Sequence, residues 1–308
     1  MKSLLDRVLS VESPSVTVVG DVMLDELIQG DAERLSPDAP VPVLDVRSRQ
    51  WRCGGAANVA KCAAALGARV RCIGAIGEDV EGRKLCELLS APDIDVAGIR
   101  ACSDRPTTVK RSIVGLAQHR HPQKMFRLDE ESRAPLSDGD FTALLATLVE
   151  ILPTTDIVCL EDYGKGVLGD KRTRAIIQRC VDVGVEVVVD PANTDDYECY
   201  RGATIITPNR SELERAMNCR LDDADPVDGA MALAEDMRVS LDLHAVVVTL
   251  DRHGAVLAER GAAPSHLPTR ARSVYDVTGA GDMVVSAMSV GRGGGLSWSD
   301  AVELSNVA

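Results

Sequence analysis

The stretch DIVCLEDYGKGVLGDKRTRAIIQRCVDVGVEVVVD, residues 156–190, decides the fold. It opens on a continuous apolar run (DIVCL, 156–160) and closes on another (VEVVVD, 185–190). Uninterrupted β-branched runs suit strands covered on both faces, because a strand with one wet face would alternate apolar with polar residues. Between them, residues 170–183 carry a helical pattern that stops at Gly184, and glycine just past the last helical residue is a common stop signal. Strand, helix, strand in this order means parallel neighbours joined by a crossover.

The same rhythm extends in both directions. VTVVG (16–20), RVRCIG (69–74), ATIIT (203–207) and HAVVVTL (244–250) read as further strands. Helical patterns occupy 55–66, 138–150, 211–218, 227–240 and 281–290. The expected fold class is α/β, with a doubly wound, mostly parallel sheet and helices on both faces. Two segments break the rhythm. Residues 25–52 and 105–129 read as strands without intervening helices, and predict a small β lid made from two excursions of the chain, with HRHPQK (119–124) as its turn. The whole of 1–308 reads as one domain. The chain stops inside a helical pattern (WSDAVELSNVA), from which a truncated end and a further domain beyond 308 are expected.

Composition narrows the function. The 308 residues are 45% hydrophobic and carry a net charge of −13, enough for a full core and unsuited to nucleic acid or an anionic membrane as partner. The nine cysteines form no C-x-x-C pair, and the five histidines offer no zinc spacing with them, so buried reduced thiols are expected. The N-terminus (MKSLLDRVLSVESP) is neither a signal peptide nor a membrane span, which points to the cytoplasm. The lid's open sheet edge makes a homodimer the expectation.

Three stretches invite a phosphate. Gly77-x-x-x-x-Gly82-Arg83-Lys84 misses a Walker A loop, because it lacks the Gly-Lys-Ser/Thr ending. Gly164-Lys165-Gly166-Val167-Leu168-Gly169 fits G-x-G-x-x-G between a strand and a helix, with Asp190 near the place of a ribose-binding acid. It raises an NAD(P)-dependent oxidoreductase as the rival reading. The third is DVTGAGD, residues 276–282. Gly279, Ala280 and Gly281 can point successive N–H groups into one concavity, and the following helix adds its positive end. Asp282, in that helix's first turn, could then take the proton of an acceptor hydroxyl while the concavity holds a transferring phosphoryl group.

DVTGAGD resembles the C-terminal signature of the ribokinase-like (PfkB) sugar kinases. CGGAANVA (53–60) resembles their N-terminal signature, and TPNRSE (207–212) their magnesium and nucleotide motif, all in the family's order. VVGDVMLD (18–25), RLSPDAPVPVL (34–44), EDYGKG (161–166) and the segment 190–214 further resemble the bacterial D-glycero-β-D-manno-heptose 7-phosphate kinases. The resemblance implies a ribokinase-like fold and ATP-dependent phosphorylation of the anomeric hydroxyl of that heptose phosphate, a step toward ADP-heptose and lipopolysaccharide. A kinase for another sugar or sugar phosphate is the alternative.

The resemblance also implies roles. Asp282 becomes the catalytic base, with Gly279, Ala280 and Gly281 as anion hole. Asn209 and Glu212 organise Mg2+ and its waters, with Arg210 and Ser211 in the same motif. Thr249, Asp251, Gly254 and Asn306 line the nucleotide. On the sugar side stand Asp21, Asp25, Gly54, Gly55, Asn58 and Asp190, with Lys110, Arg127 and Lys165 for the substrate's phosphate. A monovalent cation near Asp276 is left open. Ser112 stands where the family usually has an arginine, and Ala192 where it has a lysine. Arg111 is adjacent, but neighbouring strand residues face opposite sides.

Overall fold

Valine dominates the strands, and its burial follows from a sheet with helices on both sides. In the computed structural model, which describes residues 13–116, 122–269 and 279–306, nine strands form one sheet. They are β1 (Ser15–Gly20), β4 (Arg69–Gly77), β5 (Asp95–Cys102), β8 (Ile157–Glu161), β9 (Glu186–Asp190), β10 (Ile205–Ile206), β11 (Ala245–Thr249), β12 (Ala255–Glu259) and β13 (Ser265–Leu267). Their order is β13-β12-β11-β10-β9-β8-β1-β4-β5. All pairings from β11 through β5 are parallel, while β12 and β13 add an antiparallel edge.

Alternate strand residues feed two cores. Val158, Leu160, Val187 and Val189 pack with Leu144 and Leu148 of α3 (Asp138–Ile151), Ile176 of α4 (Asp170–Val183) and Ala234 of α6 (Val227–Ser240). Val18, Cys159 and Val188 pack on the other face, with Val59 of α1 (Ala56–Ala65), Leu85 of α2 (Val80–Ser90), Met288 of α7 (Ala280–Gly293) and Trp298 of α8 (Trp298–Ser305). The short α5 (Arg210–Ala216) follows β10. This is the doubly wound, mostly parallel α/β sheet that the sequence predicts.

The second sheet has the order β3-β2-β6-β7. Its strands are β2 (Val22–Leu35), β3 (Pro42–Gly55), β6 (Thr108–Leu116) and β7 (Gln123–Glu130). The first expected lid segment, 25–52, therefore grows at both inner ends to 22–55, while the strands of the second, 105–129, begin at Thr108 and end at Glu130. Val22, Met23 and Leu24 are buried apolar residues that carry the strand back to the end of β1. Of the expected turn, residues 119–121 lie outside the described residues, and Gln123 and Lys124 already belong to β7. Residues 1–12 and 307–308 are also outside. All nine cysteines are free, and six of them are buried.

Candidate active site

Gly20, Glu161 and Asp190 are register partners at the carboxyl ends of β1, β8 and β9. Since Cys159 and Val188 face α7, a period of two puts Glu161 and Asp190 on that side too. There α7 begins. Its N-cap, Gly279, has φ +79°, a left-handed conformation that suits glycine. Asp282 follows in the first turn and is buried. The carboxylate oxygens of Glu161, Asp190 and Asp282 lie within 4.8 Å of one another.

Two donors hold Asp282. Asn58 Nδ2, from α1, donates to Oδ2 at 2.6 Å. The Tyr163 hydroxyl donates to Oδ1 at 2.8 Å. Asp282 stands at one wall of a cleft of about 400 Å3, where it meets Gly279, Gly281, Asp190, Asn209, Glu212 and Thr249. Asp162, Tyr163, Asn193 and Thr207 line the same cleft. Asn209 and Glu212 form a capping box at the start of α5: Asn209 N–H donates to Glu212 Oε2 at 2.8 Å, and Asn209 Oδ1 accepts from Glu212 N–H at 3.0 Å. Ala280 is exposed between the two cleft glycines.

The cleft is acidic and short of compensating charge. Burial pushes the Asp190 carboxyl up to about 8, with Glu212 and Asp282 adding repulsion, against a 3.1 Å hydrogen bond from the Thr207 hydroxyl. Burial also raises Glu212, opposed by its bonds to Asn209. Glu161 is fully buried, and neither of its oxygens has a hydrogen-bond partner among the described residues. Burial first, and then Asp190, Asp282 and Asp162, hold its carboxyl well above the usual range. An orphaned buried carboxylate beside two others fits a neighbouring divalent cation, which oxygen-rich anionic clefts attract.

The sugar-side residues separate into two groups. Asp25 pairs in register with Lys110 across β2 and β6, and burial raises its carboxyl against the charges of Lys110 and Arg127. A Cβ at residue 54 would lie 2.8 Å from Asp25 Oδ2, so Gly54 leaves the Asp25 carboxylate its present place. Gly55, with φ +55°, immediately precedes α1. Arg127 pairs with Asp129 at 2.7 Å and Lys165 with Glu131 at 2.5 Å. The Lys110 ammonium sits 5.3 Å from the centre of the Tyr163 ring. Arg111 faces the other way, to Glu26 at 2.7 Å, Glu81 at 2.8 Å and Glu130, and takes no place beside Lys110.

Asp21 does something the sequence did not suggest. Its carboxylate accepts from the backbone N–H groups of Tyr163 (2.9 Å), Lys165 (2.9 Å) and Val167 (3.1 Å). Burial nevertheless lifts its carboxyl to about 6, with Asp162 adding repulsion. Asp21 thus fastens the 163–167 loop, with both oxygens engaged. The same bonds dispose of the dinucleotide reading. N–H groups within the Gly164–Gly169 segment close on a carboxylate, where a pyrophosphate would need them.

Other expected nucleotide residues do not line the main cleft. Arg210, Ser211 and Asp251 border a neighbouring hollow, where Arg210 pairs with Glu214 and Asp223. Gly254 packs against the backbone of Leu267, and Asn306 Nδ2 donates to the Pro268 carbonyl at 2.7 Å. Asp276 lies outside the described residues. Sequence reasoning passed over Tyr163, Glu161 and Asp162, although each sits at the carboxyl end of a parallel strand, where such sheets bind ligands.

Residues 13–308 match the profile of the pfkB family carbohydrate kinases. The chain belongs to that family. This family member is 40% identical over 293 residues to the D-beta-D-heptose 7-phosphate kinase of Bordetella bronchiseptica, covering 95% of this chain and 88% of that relative. It is 37% identical over 309 residues to the bifunctional protein HldE of Paramagnetospirillum magneticum, covering 100% of this chain and 61% of the relative. The chain therefore spans about three-fifths of the HldE relatives' length. In fold it is similar to Escherichia coli phosphofructokinase-2 in its tetrameric inhibited form (TM-score 0.79, 20% identity, 96% of this chain and 93% of that one). It is also similar to Arabidopsis thaliana ribokinase complexed with ribose and ATP (TM-score 0.72, 22% identity, 96% and 91%). No helix among the described residues is long and apolar enough to cross a membrane.

Proposed function

We propose that this carbohydrate kinase transfers the γ-phosphoryl group of ATP to the anomeric hydroxyl of D-glycero-β-D-manno-heptose 7-phosphate. Asp282 is the observation that carries this reading: a buried carboxylate in the first turn of α7, held by Asn58 and Tyr163. The names of the relatives at 37–40% identity supply the sugar.

Asp282 orients the acceptor hydroxyl and takes its proton as the new O–P bond forms. The N–H groups at the start of α7 have no partner within the helix, and they face the oxygens of the transferring group. Glu212 and Asn209 would hold a divalent cation, such as Mg2+, through water. When bound, that ion neutralises phosphate charge that the carboxylates of the cleft would otherwise repel. Lys110, Arg127 and Lys165 on the lid side meet the substrate's own phosphate. Closure of the small sheet over the cleft excludes water and limits ATP hydrolysis. The exposed Trp51, Phe126 and Leu128 of that sheet support a homodimer through it, read out by sedimentation. A cytoplasmic place goes with these substrates.

The test is ADP release across phosphorylated and free sugars. Turnover is expected with the heptose 7-phosphate and not with unphosphorylated sugars. Turnover confined to another sugar phosphate would favour the second reading, which Ser112 and Ala192 keep in view. Asp282→Asn should lower kcat by about 10²–10⁴-fold with ATP affinity little changed. Wild-type turnover in that variant sinks the assignment of the base.

A further inference from the structure

We propose that Tyr163 is a positioning residue for the reaction, with its hydroxyl fixing the base and its ring seating the lid. This rests on reading Asp282 as the base. Tyr163 is the first residue after Glu161-Asp162 at the end of β8, on the loop that Asp21 fastens, and three of its parts make three different contacts. Its N–H donates to Asp21 Oδ2 at 2.9 Å. Its hydroxyl donates to Asp282 Oδ1 at 2.8 Å. Its ring lies under the Lys110 ammonium at 5.3 Å, within the range of a cation–π contact. One residue thus joins the large sheet, the start of α7 and the lid strand β6.

The hydroxyl contact decides geometry at the base. A carboxylate in the first helical turn rotates freely unless something fixes its plane. Here Asn58 holds Oδ2 and Tyr163 holds Oδ1, so the plane is defined from both sides. The phenol can only donate in this pair. The hydroxyl gives its proton to this hydrogen bond, so it holds the base in place and leaves the acceptor's proton to Asp282.

The ring contact belongs to the lid. Lys110 is register partner to Asp25 on β2 and to Asp129 on β7, so its ammonium moves with the small sheet. Seating that ammonium on a ring already bonded to Asp282 ties lid position to base position. The two halves of the side chain are separable by substitution. Tyr163→Phe removes the hydroxyl and keeps the ring. Tyr163→Leu removes both.

Steady-state kinetics on the full chain, with ATP–Mg2+ and the heptose 7-phosphate, test this. For Tyr163→Phe, kcat should fall about tenfold or more, while KM for the sugar phosphate stays within about twofold. For Tyr163→Leu, kcat should fall as far and KM for the sugar phosphate should rise several-fold. Thermal unfolding of Tyr163→Phe should match wild type, which separates positioning from folding. Asp282→Asn is run in parallel. If it abolishes turnover while Tyr163→Phe keeps wild-type kcat, the hydroxyl's role is overturned and the base stands. If Tyr163→Leu leaves KM unmoved, the ring's role is overturned. If Asp282→Asn retains turnover, the reading of the base fails, and Tyr163 as its positioning residue fails with it.

Discussion

Lys110 differs from the neighbouring lid-side cations in having no ion pair with a carboxylate among the described residues. Arg127 and Lys165 each hold one, Asp129 and Glu131, and a paired cation must give up its partner before it can meet a phosphate. Lys110 rests on the face of an aromatic ring, a contact that leaves its N–H donors available to a phosphate without being given up. On the proposed reading it is the cation readiest for the substrate's own phosphate. Lys110→Met should raise KM for the sugar phosphate by about 10–100-fold, the range of a hydrogen bond to a charged group, and leave KM for ATP alone. Equal KM values for wild type and variant would remove Lys110 from the phosphate site. Arg111 gives the internal comparison: the next residue along the strand faces Glu26 and Glu81, and its loss should touch stability rather than KM.

At the scale of elements, the decisive piece is the loop between β8 and α4. It is fastened from two sides. Asp21 takes three of its N–H groups, while Asp162 accepts from Gly164 N–H at 2.9 Å and from the Tyr200 hydroxyl at 2.9 Å. Asp21→Asn replaces one acceptor oxygen by an amide that can only donate. It should cost about 1–3 kcal/mol of stability, and kcat should fall because Tyr163 shifts with the loop. An unfolding midpoint and kcat equal to wild type would show that the loop holds itself. The sequence also explains what could be read at this scale. The parallel strands and their crossover helices were legible because burial on both faces demands long apolar runs. Helix Val80–Ser90 was not, since it buries only Gly82, Leu85 and Leu89 among charged residues, although its N-cap, Asp79, was there to be seen. The antiparallel edge of β12 and β13 was missed for a related reason: Ser265–Leu267 is too short and too exposed to carry a pattern. At the site, the glycine-rich run before it pointed to Asp282, and Glu212 was reached through the resemblance of TPNRSE to the kinase motif. Tyr163 and Glu161 needed the sheet register, which sets Glu161 beside Gly20 of β1 without a local signal.

The whole molecule carries its unusual acids in one place, and that fixes how its stability should vary with pH. The Asp21 carboxyl is raised to about 6, Asp190 to about 8, and Glu161 well above the ordinary range. Unfolded, each would titrate near about 4. Between those limits the folded chain holds more protons than the unfolded chain, so stability falls as pH rises. Glu131, Asp79 and Glu214 are lowered instead, by partners such as Lys165, Thr107 and the Leu221 backbone N–H, against the effect of burial. Their contribution is lost only below the ordinary carboxylate range, and leaves the slope above it untouched. The unfolding midpoint, measured without divalent cations, should therefore drop by several degrees from pH 5 to pH 8. Mg2+ should raise it more at pH 8 than at pH 5, because the cation competes with protons for the cleft carboxylates, Asp190 and Glu212 among them. Asp190→Asn should flatten the slope by removing one of the strained acids while leaving the fold's cores intact. A wild-type midpoint that stays level or climbs across this range would mean that the cleft acids are solvated or paired in solution. The case for a cation in that cleft would fall with it.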